Sequence, residues 1–388
     1  MKHSIFASIT FLSVAISACS PSSTSPSSSG EVRLEFLDSI VVESLHDLFL
    51  SSVNEQTGQI LFKDRFLKEF LLTDPTGKII TSFSLTGEGP NQVSFPMEVA
   101  FMADQLVVKE ISAEMKLNFF DSQFKKDGVS PPLASGLNMM EVAFKRQSFS
   151  VLDQDQGSLI LGVENNAIDP QWMTAAYQKA EFYDVAKTGY IYNLENDSLR
   201  YFSLYPDSWQ PKLNKEWVGQ AFPFMAVLGQ QNLIAVLPRV GKQIFFYTLQ
   251  GQELVPRGET TVFHPDRRDE LKIDPMEQPF LYPGFSDIKG GGNYFLLEFF
   301  TEIPLDAYQE IRAKSENYMT DPEFKQLMKT YRQERYILLN SEGDQQIISD
   351  LPIAGSIHYL DKEDVIYIKP EEVEERDHNV FYRYKILP

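Results

Sequence analysis

The sequence predicts an all-β chain, a six-bladed β-propeller with a helical insertion near residues 303–335. Three observations carry that prediction: short apolar runs bounded by turn residues, a recurring strand–turn–strand grammar, and repeats of blade size. The 388 residues are 43% hydrophobic and 13% aromatic, enough to bury a large core and too apolar past residue 30 for disorder.

The apolar runs come in order along the chain. "GKIITSFSL" (77–85), "DQLVVKEI" (104–111), "SLILGV" (158–163), "NLIAVL" (232–237), "NYFLLEFF" (293–300) and "DVIYIKP" (364–370) each read as a strand. Between them lie hairpins such as "LLTDPTGKII" (71–80), "FFDSQFKKDGV" (119–129) and "YILLNSEGDQQII" (336–348), whose Asp, Asn and Gly residues supply turn conformations. A repeat ties them together. Phe-Pro opens a strand at Phe95 and again at Phe222, an apolar pair follows from Leu106 and Leu233, and a Phe-Phe hairpin comes later. A third copy with a long insertion starts at Phe285, and further copies fall around 45–85, 141–204 and 353–388. Six units of about four strands make a propeller.

"LTGEGPNQVSFP" (85–96) could be taken for a phosphate loop, but Pro90, Pro96 and the following "MEVAF" oppose the helix that such a loop must open. The stretch resembles instead the "GxGPGxFxxP" turn of NHL-type propeller blades. Gly87, Gly89, Pro90 and Pro96 match, and Asn91 stands where a second glycine is common, with a tolerance of the left-handed conformation. The chain past residue 30 resembles the six-bladed TolB-like or NHL-like propeller lipoproteins of Bacteroidetes, largely families of unknown function. That resemblance implies ring closure by the N-terminal strand: "EVRLEFLDSIVVE" (31–43) is expected beside "NVFYRYKIL" (379–387), the alternative being two edge strands of an open sheet.

Two segments break the pattern, 164–190 and 303–335. In the second, Tyr308, Ile311, Tyr318, Phe324, Leu327, Met328 and Tyr331 fall at largely helical spacing, and Asp321-Pro322 makes a helix start. A helical hairpin is expected there, as a lid or docking arm, or as a decoration over a blade edge.

The N-terminus gives an address. Lys2 and His3 precede the apolar run Ile5 to Ile16, too short to span a bilayer, and "Ile16-Ser17-Ala18-Cys19" resembles the lipobox of bacterial lipoproteins. The resemblance implies a signal peptide over 1–18, diacylglycerol on Cys19, a Ser/Pro-rich tether over 19–30 and a propeller domain over 31–388. Cys19 is the one cysteine, so the mature chain has no intramolecular disulfide. Surface-exported lipoproteins of Bacteroidetes carry acids just after the cysteine. Ser20, Pro21, Ser22 and Ser23 do not, which points to an outer-membrane or cell-envelope anchor facing the periplasm.

The formal net charge of -19 disfavours nucleic acid as a partner. Metal-ligand spacing such as HExxH, a GxSxG elbow, a CxxC pair and an EF-hand loop are all absent from the sequence. "DQDQG" (153–157) lacks the third ligand position and the distal Glu of a calcium loop, and "HPDRRDE" (264–270) and "PEEVEERDH" (370–378) read as solvated loops.

A propeller focuses chemistry in its channel. The inner strands are expected at "LHDLF" (45–49), "MEVAF" (97–101), "MMEVAF" (139–144), "FMAVL" (224–228), "FSDIK" (285–289) and "SIHYL" (356–360). The channel candidates are then His46 or Asp47, Glu98, Glu141, Asp287 and His358. Carboxylates converging on one axis would favour a hard cation such as Ca²⁺, as in propellers with lactonase or esterase activity, while a one-residue slip in register would turn each side chain away. Two function classes therefore stand: a lipid-anchored binding or scaffolding module with a protein, small-molecule or glycan partner, and a metal-dependent hydrolase using the channel acids. Glycan binding would draw on Trp172, Trp209 or Trp217.

Overall fold

Where a strand is packed on both faces it reads as a continuous apolar run, and these runs build the molecule. Leu233–Leu237 is buried at each of its five positions and pairs antiparallel with Phe224–Leu228 on one side and Gln243–Gln250 on the other. In this computed structural model, which describes residues 30–134, 136, 143–154, 157–268, 280–314, 316–371 and 376–387, such pairings make six sheets around one axis. Taken from their inner strands, blades 1 to 5 start at Leu48–Val53, Pro96–Met102, Phe149–Gln154, Phe224–Leu228 and Phe285–Gly290, and each adds three antiparallel strands outward. The six-bladed expectation holds.

Blade 6 takes three strands from the C-terminus, Gly355–Leu360, Val365–Pro370 and Asn379–Leu387, and its outermost strand from the N-terminus. That strand, Arg33–Val42, pairs antiparallel with Asn379–Leu387, so the ring closes as expected. Gly30–Glu31 adds a short parallel strand to the rim of blade 5.

Each pair of neighbouring blades shares one apolar cluster. Between blades 1 and 2, for example, Leu61, Phe70, Val99 and Phe120 pack together; between 4 and 5, Phe246 meets Phe295 with ring centroids 6.1 Å apart. Burying one such phenylalanine is worth about 1.5–3 kcal/mol. Gly290 is one place where no side chain would fit, because a Cβ would meet the Val227 carbonyl oxygen of blade 4 at 2.2 Å.

The 85–96 stretch is a turn from blade 1 to blade 2. Val93 N–H donates to Leu85, Gly87 N–H donates to Val93, and Pro96 opens the next inner strand. Gly87 takes φ of 147°, and a Cβ there would strike the Gln92 amide. Asn91 departs from expectation: it is not left-handed, and its Oδ1 accepts from Lys126 N–H at 3.2 Å.

The insertion in blade 5 is helical, with helices at Leu305–Lys314 and Pro322–Tyr331. Asp321 caps the second by accepting from Glu323 N–H, with Pro322 at its first position. Tyr308, Ile311 and Phe324 are buried with Leu281 and Ile303, and Tyr318, Leu327 and Met328 pack against them, whereas Tyr331 is exposed. The other irregular segment, 164–190, forms short turns and the helix Phe182–Val185, around which Tyr183, Tyr205, Trp209 and Trp217 assemble.

Two strand expectations need correction. The inner strand of blade 1 starts at Leu48, so His46 and Asp47 precede it. Blade 3 begins at Phe149 because "FSVL" finds partners, Val151 opposite Ile160, that the polar run Lys145 to Ser148 does not offer. Residues 1–29, with Cys19 and the signal-peptide and tether expectations, lie outside the described residues, as does Glu141.

Candidate functional site

All six blades contribute to one cavity of about 470 Å³ on the axis. Inner strands begin on one face of the ring, here the upper, and end on the lower. The cavity opens at the lower face among exposed Glu55, Gln56 and Gln230. Its upper end is lined by residues 144–147, which cross the channel before blade 3 begins. Phe144 stacks on Phe49 of blade 1 at 4.9 Å, Arg146 lies over the Phe224 ring of blade 4 at 4.7 Å, and the Lys145 carbonyl accepts from Lys289 of blade 5.

The sequence-predicted residues divide. His46 is exposed, its Nε2 3.7 Å from Glu69 in blade 1. Glu98 lines the cavity, and its carboxylate accepts from Ser148 N–H and, at 2.8 Å, from Ser148 Oγ. Asp287 is buried behind the wall, bonded to Lys289 and 4.0 Å from Arg146; burial pushes its carboxyl above the usual range in spite of both cations. His358 lines the cavity, its ring stacked on Phe49 at 5.4 Å and edge-on to Phe381 at 5.5 Å. Burial, then the charges of Lys145, Lys369, Lys289 and Lys63, hold its imidazole well below the ordinary value, so it is neutral at pH 7.

The expected ring of acids is a mixed set in which lysines neutralise carboxylates. Among the described residues no three His, Cys, Asp or Glu stand where they could share an ion. Glu98 and Asp287 spend their oxygens on Ser148 and on cations, so the described residues do not fit the expected Ca²⁺ site. Five cationic side chains line the cavity, Lys63, Lys145, Arg146, Lys289 and Lys362, against two acids, Glu55 and Glu98. That excess is local to the channel of a chain whose formal net charge is -19.

Sequence reasoning missed the lysines, although a signal was there. Lys63 in "ILFKD", Lys109 in "LVVKE" and Lys369 in "IYIKP" stand inside apolar second strands, opposite inner-strand residues Phe49, Glu98 and Ser356. Each reaches across to the next blade. Lys63 donates to the Met97 carbonyl at 2.6 Å, Lys109 to Ser148 and Val163 at 2.7 Å, and Lys369 to the Leu48 carbonyl at 2.9 Å. Burial lowers Lys63 to about 8, with Glu98 opposing and Lys289 adding to the shift. In blade 5 the corresponding position, opposite Asp287, is Glu298, and Lys145 from the crossing segment meets it at 3.6 Å and Glu334 at 2.7 Å. Against its own desolvation, those two carboxylates raise Lys145.

Of the three tryptophans one is buried and two are half-buried. Trp209 is fully buried with Nε1 donating to the Val240 carbonyl at 3.1 Å, Trp217 stacks on Tyr183 at 5.6 Å, and Trp172 packs on Tyr177 at 4.8 Å.

The fold and this axial cavity define a six-bladed β-propeller with a central small-molecule-sized pocket. No family model matches the chain, and no curated protein matches it. Solved structures do. A member of the DUF4221 family from Bacteroides vulgatus superposes with a TM-score of 0.62 at 12% identity, covering 92% of this chain and 99% of that one. Virginiamycin B lyase from Staphylococcus aureus gives 0.44 at 10% identity over 92% and 100% of the two chains. A gluconolactonase from Xanthomonas campestris gives 0.44 at 10% identity over 93% and 96%. At these identities the first likeness shows the fold, and the other two support nothing about activity.

Proposed function

We propose that the chain is a binding module of the cell envelope, held to a membrane by a lipid on Cys19 and using its channel as the ligand site. The observation that carries the reading is the cavity of about 470 Å³, lined from all six blades and crossed above by residues 144–147. Pockets of this size suit small molecules, and a wall built from six blades fixes many polar groups around one ligand. The hydrolase reading draws less support, because its described acids Glu98 and Asp287 are bonded to Ser148 and Lys289.

The anchor is argued from "ISAC" ending an apolar run. Cys19→Ser is expected to move the protein from the membrane to the soluble fraction with its melting temperature unchanged; retention on the membrane would remove the lipid anchor from the account. The channel is tested by a thermal-shift screen of the full-length chain against neutral and anionic small molecules. A ligand that raises the melting temperature supports the binding role. Enzyme-like turnover of an ester or lactone would replace it with catalysis.

A further inference from the structure

A buried charge is costly unless it is paired, and Lys63 is not. It is 1% exposed, lines the cavity, and has Met97 as its one described acceptor. The equivalent lysines differ: Lys109 has Glu164 at 3.1 Å and Lys369 has Asp47. Among the described residues, then, Lys63 alone of the three lacks a carboxylate within ion-pair distance. A second observation is independent of it. His358 is 3% exposed and faces the same cavity, and its Nδ1 has no hydrogen-bond partner among the described residues. Buried polar atoms of this kind are rare, and an unplaced ligand is one of their ordinary explanations.

We propose that the cavity binds a small organic anion whose carboxylate or phosphate group sits against Lys63 and Lys289, with His358 donating from Nδ1 in the tautomer that carries its proton there. This rests on reading the channel as the ligand site and adds the chemistry of the ligand. The anion supplies the counter-charge that Lys63 lacks and the partner that Nδ1 lacks. A volume of about 470 Å³ accommodates a ring-sized acid. Lysines, as compact point charges, select for charge rather than for a planar bidentate shape. The local cationic excess also draws anions through a low-dielectric mouth that the acidic exterior otherwise repels.

The test is calorimetric titration of the full-length chain at neutral pH with glucuronate, benzoate, inorganic phosphate and, as the uncharged control, glucose. At least one anion is expected to saturate at one per chain and to weaken as salt is raised. Phosphate binding in place of the two acids supports the proposal and assigns the head group. Lys63→Met is expected to weaken the bound anion tenfold or more while leaving the melting temperature equal or higher, since it replaces an unpaired buried charge with an apolar side chain of similar length. His358→Phe, which keeps the ring stack on Phe49 and removes Nδ1, is expected to weaken it as well. Anion binding unaffected by both substitutions overturns the proposal. Binding of glucose with none of the anions also overturns it while leaving the channel a ligand site, and binding of none of the four with no hit in the wider screen removes both.

Discussion

Lys63 shows at the residue scale how a group without a counter-ion costs stability. Its ammonium titrates near 8 in the folded chain against 10.5 for the free side chain, because burial outweighs the attraction of Glu98 and Lys289 adds its own repulsion. The folded value is the lower one, so between pH 8 and 10.5 the unfolded chain binds more protons and stability rises with pH. Below pH 8 the cost is fully present, about 3 kcal/mol at 1.36 kcal/mol per unit. Lys63→Met is therefore expected to gain most over the parent at pH 7 and least near pH 10.5, read from urea unfolding at both values. An equal difference at the two pH values would mean that Lys63 is solvated or paired in solution. The lysine inside the apolar run "ILFKD" signals a buried charge, but the sequence does not say what lies opposite it. The same limit hid one partner of Asp287: Lys289 lies on its own strand, but Arg146 comes from the segment before blade 3.

Elements were the most legible level. A strand buried on both faces writes itself as an unbroken apolar run, and "NLIAVL" and "NYFLLEFF" became second strands of blades 4 and 5. Gly87 and the prolines around it marked a blade turn, and 31–43 closed the ring. The start of blade 3 was not legible, because "MMEVAF" and "RQSFSVL" offer similar apolar character and only pairing with Leu159–Gly162 distinguishes them. That one error concealed the crossing segment 144–147. The helical insertion was readable from spacing because it carries a core of its own. Phe324 touches Phe280 and Tyr318 at 5.5 and 5.3 Å, and its loss to alanine costs about 3–5 kcal/mol. Such a cost exceeds the holding energy of a small satellite cluster, so Phe324→Ala is expected to open the helices locally. Hydrogen exchange should then rise across 305–331 while Tyr294–Phe300 and Glu334–Asn340 keep their protection. Loss of protection in those strands would make the insertion part of the blade's own stability.

The whole molecule is a ring in which lysines of blades 1, 2 and 6 reach toward the next blade, so the channel is held by charge as well as by apolar clusters. Because Glu98 is bonded to Ser148 and Asp287 to Lys289, EDTA followed by excess Ca²⁺ is expected to leave the melting temperature of the full-length chain unchanged. An ion at about 100 times its dissociation constant would add roughly 2.7 kcal/mol and a clear upward shift, which would restore a metal to the site. The fold was foreseeable at this scale from apolar runs, strand–turn–strand grammar and repeat length together. The channel's charge was not, since it depends on six registers at once, and each is decided by a single residue.

The most direct measurement is a crystal structure of the chain grown with the organic anion that binds most tightly in titration. The account predicts electron density in the axial cavity, with the anionic group against Lys63 and the His358 ring within hydrogen-bond reach. Density for the anion on the outer surface, beside an empty channel, would contradict it.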